Sequence, residues 1–212
     1  MTLSLFPDAA RLSLGAGACL LRGGALAQAH GLIADIQRVL EEAPLRHMLT
    51  ASGHRMSVAM SNCGSLGWVS DRTGYRYATL DPLRQQAWPA MPATFMALAQ
   101  HAAREAGYAD FRPDACLINR YELGTKLSLH QDKDERDFSQ PIVSVSLGVP
   151  AVFLFGGARR QDRPARVRLE HGDVVVWGGP SRLNFHGVAE LAGDTHEATG
   201  PYRFNLTFRK AA

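Results

Sequence analysis

Cysteine is scarce in this chain: three in 212 residues, Cys19, Cys63 and Cys116, far apart and without paired spacing. That excludes a disulfide framework and the close thiol pairs of a zinc knuckle, and it fits a reducing compartment, so a cytoplasmic protein is expected. Lysine is equally rare, three against 20 arginines, while acids and bases almost cancel at a net charge of +3. An anionic partner would therefore be held mainly through planar, bidentate guanidinium contacts. Long apolar runs are missing too. The nearest candidate, "LSLGAGACLL" between Arg11 and "GALA", imitates a secretory leader, but Pro7 and Asp8 spoil the basic start and two glycines and a serine interrupt it. A short strand is expected there, and no other stretch approaches the length a membrane helix needs.

Internal repeats and linkers are absent as well, and 46% hydrophobic residues suffice for a substantial core, so residues 1–212 are expected to form one domain and a monomer. "LAQAHGLIADIQRVLEEAP" carries apolar residues at helical spacing, with Leu26, Ile33, Ile36 and Leu40 on one side and Pro44 closing the element. A second helix is expected from about Pro92 to Gly107. Between them, residues 48 to 90 are rich in Gly, Ser, Asn, Tyr and Trp and read as hairpins and an adaptable loop. After Gly107 the texture changes to short strands: "ACLINRYEL", "TKLSLHQD", "PIVSVSLG", "AVFLFGG", "RVRLEHGDVVVWGG", "FHGVAEL" and "YRFNLTFRK". Strands at this spacing behind two helices predict a mainly β fold, a sandwich or jelly roll with an N-terminal helical layer.

In "LHQDKDERD", His130 and Asp132 stand two apart at a strand end, where alternation would put them on one face. The same pair recurs at His171 and Asp173, where Gly172 and flanking strands suggest a solvated hairpin turn. Downstream, His186 in "SRLNFHGV" completes two imidazoles and one carboxylate. This is the donor set of non-haem Fe(II) oxygenases; zinc accepts the same donors, so composition alone does not choose the metal. In "YRFNLTFRK", Arg203, Asn205, Thr207 and Arg209 alternate with Phe204, Leu206 and Phe208, giving one apolar face and one wet, cationic face. Two guanidiniums beside a metal in a barrel mouth would be costly to desolvate unless a dianion met them, and a dicarboxylate is that kind of ligand.

"PDACLINRYELGTKLSLHQDKDE", "PIVSVSLGVPAVFLFGG", "LEHGDVVVWGGPSRL", "FHGV" and "RFNLTFR", with "MSVAMSNCGSLGW" upstream, resemble the AlkB family of Fe(II)- and 2-oxoglutarate-dependent alkylation-repair dioxygenases over nearly the whole chain. The resemblance implies a double-stranded β-helix core over residues 112–210, with a nucleotide-recognition lid at 45–90. It implies His130, Asp132 and His186 as iron ligands, and Asn119, Tyr121, Arg203, Asn205 and Arg209 around 2-oxoglutarate. Trp68, Tyr75, Asp134 and Arg160 would meet the damaged base and its strand. Fe(II), 2-oxoglutarate and O2 would serve oxidative demethylation of N-alkylated bases, of the 1-methyladenine and 3-methylcytosine type, in single-stranded DNA, duplex DNA or RNA.

The acids Asp134 and Glu135 would then form a rim favouring a cationic methylated base, and "ARRQDRPARVR" would contact phosphates. His54, where a tyrosine is expected, and Asn184-Phe185 before His186 depart from the family pattern and bear on substrate preference. A same-fold oxygenase acting on RNA, protein or a small molecule would share the metal and cosubstrate residues. A non-catalytic module would use the pocket for metal or ligand binding without turnover.

Overall fold

The computed structural model describes residues 11–193 and 195–212. Pro7 and Asp8 lie outside the described residues. The run that imitates a leader is a hairpin of β1 (Arg11–Gly15) and β2 (Ala18–Leu21). Next come α1 (Ala29–Glu42), β3 (Ala59–Gly64), β4 (Gly67–Asp71), β5 (Gly74–Ala78), β6 (Leu80–Asp81), β7 (Gln86–Ala87) and α2 (Ala93–Glu105). The remainder is strands: β8 (Ala115–Tyr121), β9 (Leu127–His130), β10 (Ile142–Gly148), β11 (Ala151–Phe155), β12 (Ala165–Leu169), β13 (Val174–Trp177), β14 (His186–Val188) and β15 (Arg203–Arg209).

Seven strands form the larger sheet in the order β1-β2-β13-β10-β15-β8-β3, and four form a second sheet, β12-β11-β14-β9. Alternation decides what each face touches. Val143, Val145, Leu147, Leu206 and Phe208 meet Leu32, Ile36, Val39, Phe95, Leu98 and Ala99 of the two helices in one buried cluster. On the opposite face, Ile142 and Trp177 pack against Phe153, Phe155 and Leu169 of the smaller sheet. The helices thus cover one side, and the two sheets enclose a jelly-roll interior on the other. Among the described residues, no helix is long and apolar enough to cross a membrane.

Several expectations need correction. Leu26 lies in a 3-10 turn before α1 and is 56% exposed; the helix buries Leu32, Ile36 and Val39, while Ile33 and Leu40 are only partly covered. Within 45–90, β3 is the outer strand of the seven-stranded sheet, and Met48 and Val58 beside it are buried in one cluster with Leu117, Tyr121 and Val149. Gly172 turns the chain between sheets, since β12 pairs with β11 while β13 pairs with β10 and β2, so there is no hairpin at that position. Nor is Asp173 solvated: it is buried and binds Arg22 Nη1 at 2.6 Å and the Gly23 amide at 2.9 Å. Cys63 and Cys116, distant in sequence, are cross-strand partners on β3 and β8, both thiols free and buried.

Candidate metal centre and its cavity

His130 is the last residue of β9 and His186 the first of β14, and the two are paired across the strands. Gly187 permits the approach, since a Cβ there would lie 2.6 Å from the Leu127 carbonyl oxygen. The imidazole centroids are 4.4 Å apart. Asp132 lies just past the end of β9, so strand alternation is not what aims it; it nevertheless brings Oδ1 to 3.5 Å from His130 Nε2 and Oδ2 to 3.8 Å from His186 Nε2. One donor atom from each of the three residues lies within 4.8 Å of the others.

The donor chemistry fits a divalent metal. His130 Nδ1 is 2.9 Å from the Ser128 carbonyl and His186 Nδ1 3.0 Å from the Asn184 carbonyl. A carbonyl only accepts, so each Nδ1 carries the hydrogen and each Nε2 keeps its lone pair for a metal. Burial pushes the His186 pKa down to about 4 and keeps that ring neutral. Burial alone would raise the Asp132 pKa, but the Arg209 guanidinium beside it holds it well below the usual carboxylate range. Trp177 and Phe153 pack beside His186, centroids 4.8 and 6.1 Å away.

A cavity of about 740 Å³ opens at this cluster, and its inner wall is the polar face of β15 and its neighbours. Arg203, Asn205, Thr207 and Arg209 are all buried, because β15 lies between β10 and β8; the face expected to be wet is interior. Asn119 and Tyr121 of β8 stand opposite Asn205 and Arg203. Asn205 Nδ2 donates to Ser144 Oγ at 2.8 Å and accepts on Oδ1 from Thr207 Oγ1 at 3.0 Å and Asn119 Nδ2 at 3.3 Å. Arg203, 1% exposed, lies 4.8 Å over the Tyr121 ring and donates Nη2 to Ser146 Oγ at 2.8 Å. Its Nε and Nη1, and Asn119 Oδ1, have no partner among the described residues. Arg209 lines the same cavity, but its Nε and Nη2 turn to Asp132 Oδ2 at 2.8 and 2.7 Å.

At the mouth, Trp68 and Tyr75 stack at 5.7 Å with 12° between ring planes. The indole Nε1 donates to Asp134 at 2.9 Å, and Asn62, fully buried, clamps the Trp68 backbone by accepting its N–H and donating to its carbonyl, both at 2.9 Å. Arg160 lines the mouth with its guanidinium 5.1 Å over Phe185. In the run "ARRQDRPARVR", Arg159 pairs with Asp162 and Arg168 with Glu170. Glu135 is not on the rim: it is buried and bound to Arg182 and Tyr77. His54 binds Ser52 and lies off the cavity lining.

Tyr77, Arg182 and Asn62 gave no signal in the sequence, because their partners lie across loops. Ser144 and Ser146 did give one: serine at alternate positions of an otherwise apolar strand marks a polar interior face.

The 2OG-Fe(II) oxygenase superfamily model matches residues 17–209. The alpha-ketoglutarate-dependent dioxygenase AlkB of Salmonella typhimurium (strain LT2) is 57% identical over 212 residues, covering 99% of this chain and 98% of its own. The protein of the same name from Escherichia coli (strain K12) is 56% identical over 211 residues, covering 99% and 98%. Among solved structures, OsALKBH1 superposes with a TM-score of 0.80 at 30% identity, over 94% of this chain and 99% of its own. With the donor cluster, the jelly roll and these matches together, the chain belongs to the AlkB family of the 2OG-Fe(II) oxygenase superfamily.

Proposed function

We propose that this protein is an oxidative demethylase of N-alkylated bases in single-stranded DNA, acting as a monomer in the cytoplasm. The observation that carries the reading is the pairing of a three-donor cluster with a buried guanidinium, two of whose nitrogens have no partner among the described residues, in one cavity under a stacked aromatic pair. His130, Asp132 and His186 would hold Fe(II); Arg203, Asn119, Tyr121 and Asn205 would hold 2-oxoglutarate, with the Arg203 nitrogens meeting the distal carboxylate. Arg209 would reach the cosubstrate only with Nη1, the nitrogen not engaged by Asp132. Bound there, Fe(II), 2-oxoglutarate and O2 supply the oxidation of an N-alkyl carbon, with succinate and CO2 as co-products.

The remaining work falls to the chain's own residues. A base stacked in a duplex cannot reach this depth, so the target must be unpaired or flipped out. Trp68 and Tyr75 offer it a stacking surface, and base-aromatic stacking is worth about 1 to 3 kcal/mol per base. Asp134, exposed beside Trp68, favours a base that methylation has made cationic. Arg160 meets the phosphate backbone. A hydroxymethyl group on nitrogen releases formaldehyde unaided, so no protein group need break the C–N bond.

The test is to incubate the protein with Fe(II), ascorbate, 2-oxoglutarate and a single-stranded oligonucleotide carrying 1-methyladenine or 3-methylcytosine, then to weigh the oligonucleotide. Loss of the methyl mass by wild type and not by His130→Ala is expected. Retention of the methyl group by wild type with iron verifiably bound would sink the proposal. Parallel RNA and duplex substrates rank the strands.

A further inference from the structure

Trp68 and Tyr77 are directly opposed on β4 and β5, so their side chains leave the hairpin on one face. Each donates one hydrogen bond to one of two consecutive acids: the indole to Asp134 at 2.9 Å, the phenol to Glu135 Oε1 at 2.6 Å. The two acids differ in what lies behind them. Asp134 is exposed, whereas Glu135 is 6% exposed and is a junction. Its Oε2 accepts from Arg182 Nη2 at 2.9 Å, and its Oε1 lies 3.5 Å from Arg209 Nε.

Both guanidiniums then reach Asp132. Arg182 donates Nη1 to the Asp132 carbonyl at 2.8 Å and is itself fixed by Nε donating to the Gln140 carbonyl at 3.0 Å. Arg209 donates Nε and Nη2 to Asp132 Oδ2 at 2.8 and 2.7 Å. The backbone and the carboxylate of Asp132 are therefore both held by cations that Glu135 holds in turn. Two acids and two guanidiniums cancel, which is what makes such a cluster tolerable in a buried position. Burial raises the Tyr77 pKa far above its ordinary value, and the phenol stays a neutral donor.

We propose that Tyr77 is a positioning residue: through Glu135, Arg182 and Arg209 it makes the orientation of the Asp132 carboxylate depend on the seating of the β4–β5 hairpin. The two latches of the hairpin then divide. Trp68 with Asp134 sets the stacking surface, and Tyr77 with Glu135 completes the metal centre. The proposal rests on the reading of His130, Asp132 and His186 as metal ligands.

The test needs no turnover. Co(II) is titrated into the metal-free full-length protein and its visible spectrum followed, in wild type, Tyr77→Phe, Asp134→Asn and Glu135→Gln. Groups that orient a metal ligand typically contribute about 10- to 100-fold to metal affinity. Tyr77→Phe, which removes one hydroxyl and keeps the ring, is expected to weaken Co(II) by about tenfold and shift the spectrum. Glu135→Gln is expected to lose at least as much. Asp134→Asn should keep wild-type Co(II) affinity and spectrum while weakening oligonucleotide binding. Wild-type affinity and spectrum in Tyr77→Phe, or equal losses in Tyr77→Phe and Asp134→Asn, would overturn the division. No Co(II) binding by wild type would instead overturn the metal reading, and this inference with it.

Discussion

Replacing Arg203 by methionine should make the ligand-free protein more stable and blind to 2-oxoglutarate. The guanidinium is 1% exposed, with one hydrogen bond to Ser146 and with Nε and Nη1 unpartnered. Burial pulls its pKa below the ordinary arginine value, with Tyr121 partly opposing. Each polar group buried without a partner costs about 1–3 kcal/mol, and a hydrogen bond to a charged group returns about 1.5–3 kcal/mol. Removing two orphaned groups, together about 2–6 kcal/mol, against one lost bond of about 1.5–3 kcal/mol leaves a net gain centred on about 1–2 kcal/mol for the apolar replacement. At roughly 2–4 °C per kcal/mol for a chain of this size, Tm should rise by about 2–8 °C.

The ligand-bound comparison runs the other way. In wild type, 2-oxoglutarate at 100 times its Kd contributes about 2.7 kcal/mol, or roughly 5–11 °C. In Arg203→Met this shift should vanish. Differential scanning calorimetry with Mn(II), with and without 2-oxoglutarate, reads both numbers, and the order of the two proteins should reverse when ligand is added. An undiminished ligand shift in the variant would refute the assignment of Arg203 to the cosubstrate. A ligand-free variant several degrees less stable than wild type would refute the claim that the guanidinium is held at a cost.

Asn62→Ala leaves the Trp68 N–H and carbonyl without their partner, at about 1–3 kcal/mol each, and frees the indole; a lower Tm, greater acrylamide quenching and weaker oligonucleotide binding should appear together. Arg160→Ala should weaken oligonucleotide binding and reduce the log-log salt slope by about 1, measured by fluorescence anisotropy across a salt series. His171 and His196 stack at 4.4 Å, and His171 Nδ1 accepts the Gly148 amide. Burial, then the charge of His196, lowers the His171 pKa from 6.5, so the unfolded chain binds more protons below that pH. This contribution to stability is complete above about pH 6.5 and declines as pH falls toward the folded-state value. His171→Gln should flatten that part of the pH profile in urea unfolding of the metal-free protein.

What the sequence displayed and what it concealed follow from how far apart the interacting residues lie. The alternation of Arg203, Asn205, Thr207 and Arg209 was legible because it is a property of one strand, although its face is interior and was expected to be wet. His130, Asp132 and His186 were legible by residue type, yet the strand argument for Asp132 fails because β9 stops at His130. Arg209 was expected on the cosubstrate, and its engagement by Asp132 is invisible locally because the two are 77 residues apart. Likewise nothing in "KDERD" says which acid turns inward; Glu135 does so because Arg182, 47 residues on, is there to neutralise it. Asp173 left the solvent for the same reason, drawn in by Arg22.

The carbonyls that orient His130 and His186 belong to Ser128 and Asn184, each two residues earlier on the same segment. A side chain in that role can be lost to a single codon change, but every residue type presents a carbonyl. Imidazole orientation is thus written into the chain's course, and positions 128 and 184 are released to vary. The side chain at 184 can therefore change while His186, two residues on, keeps its aim.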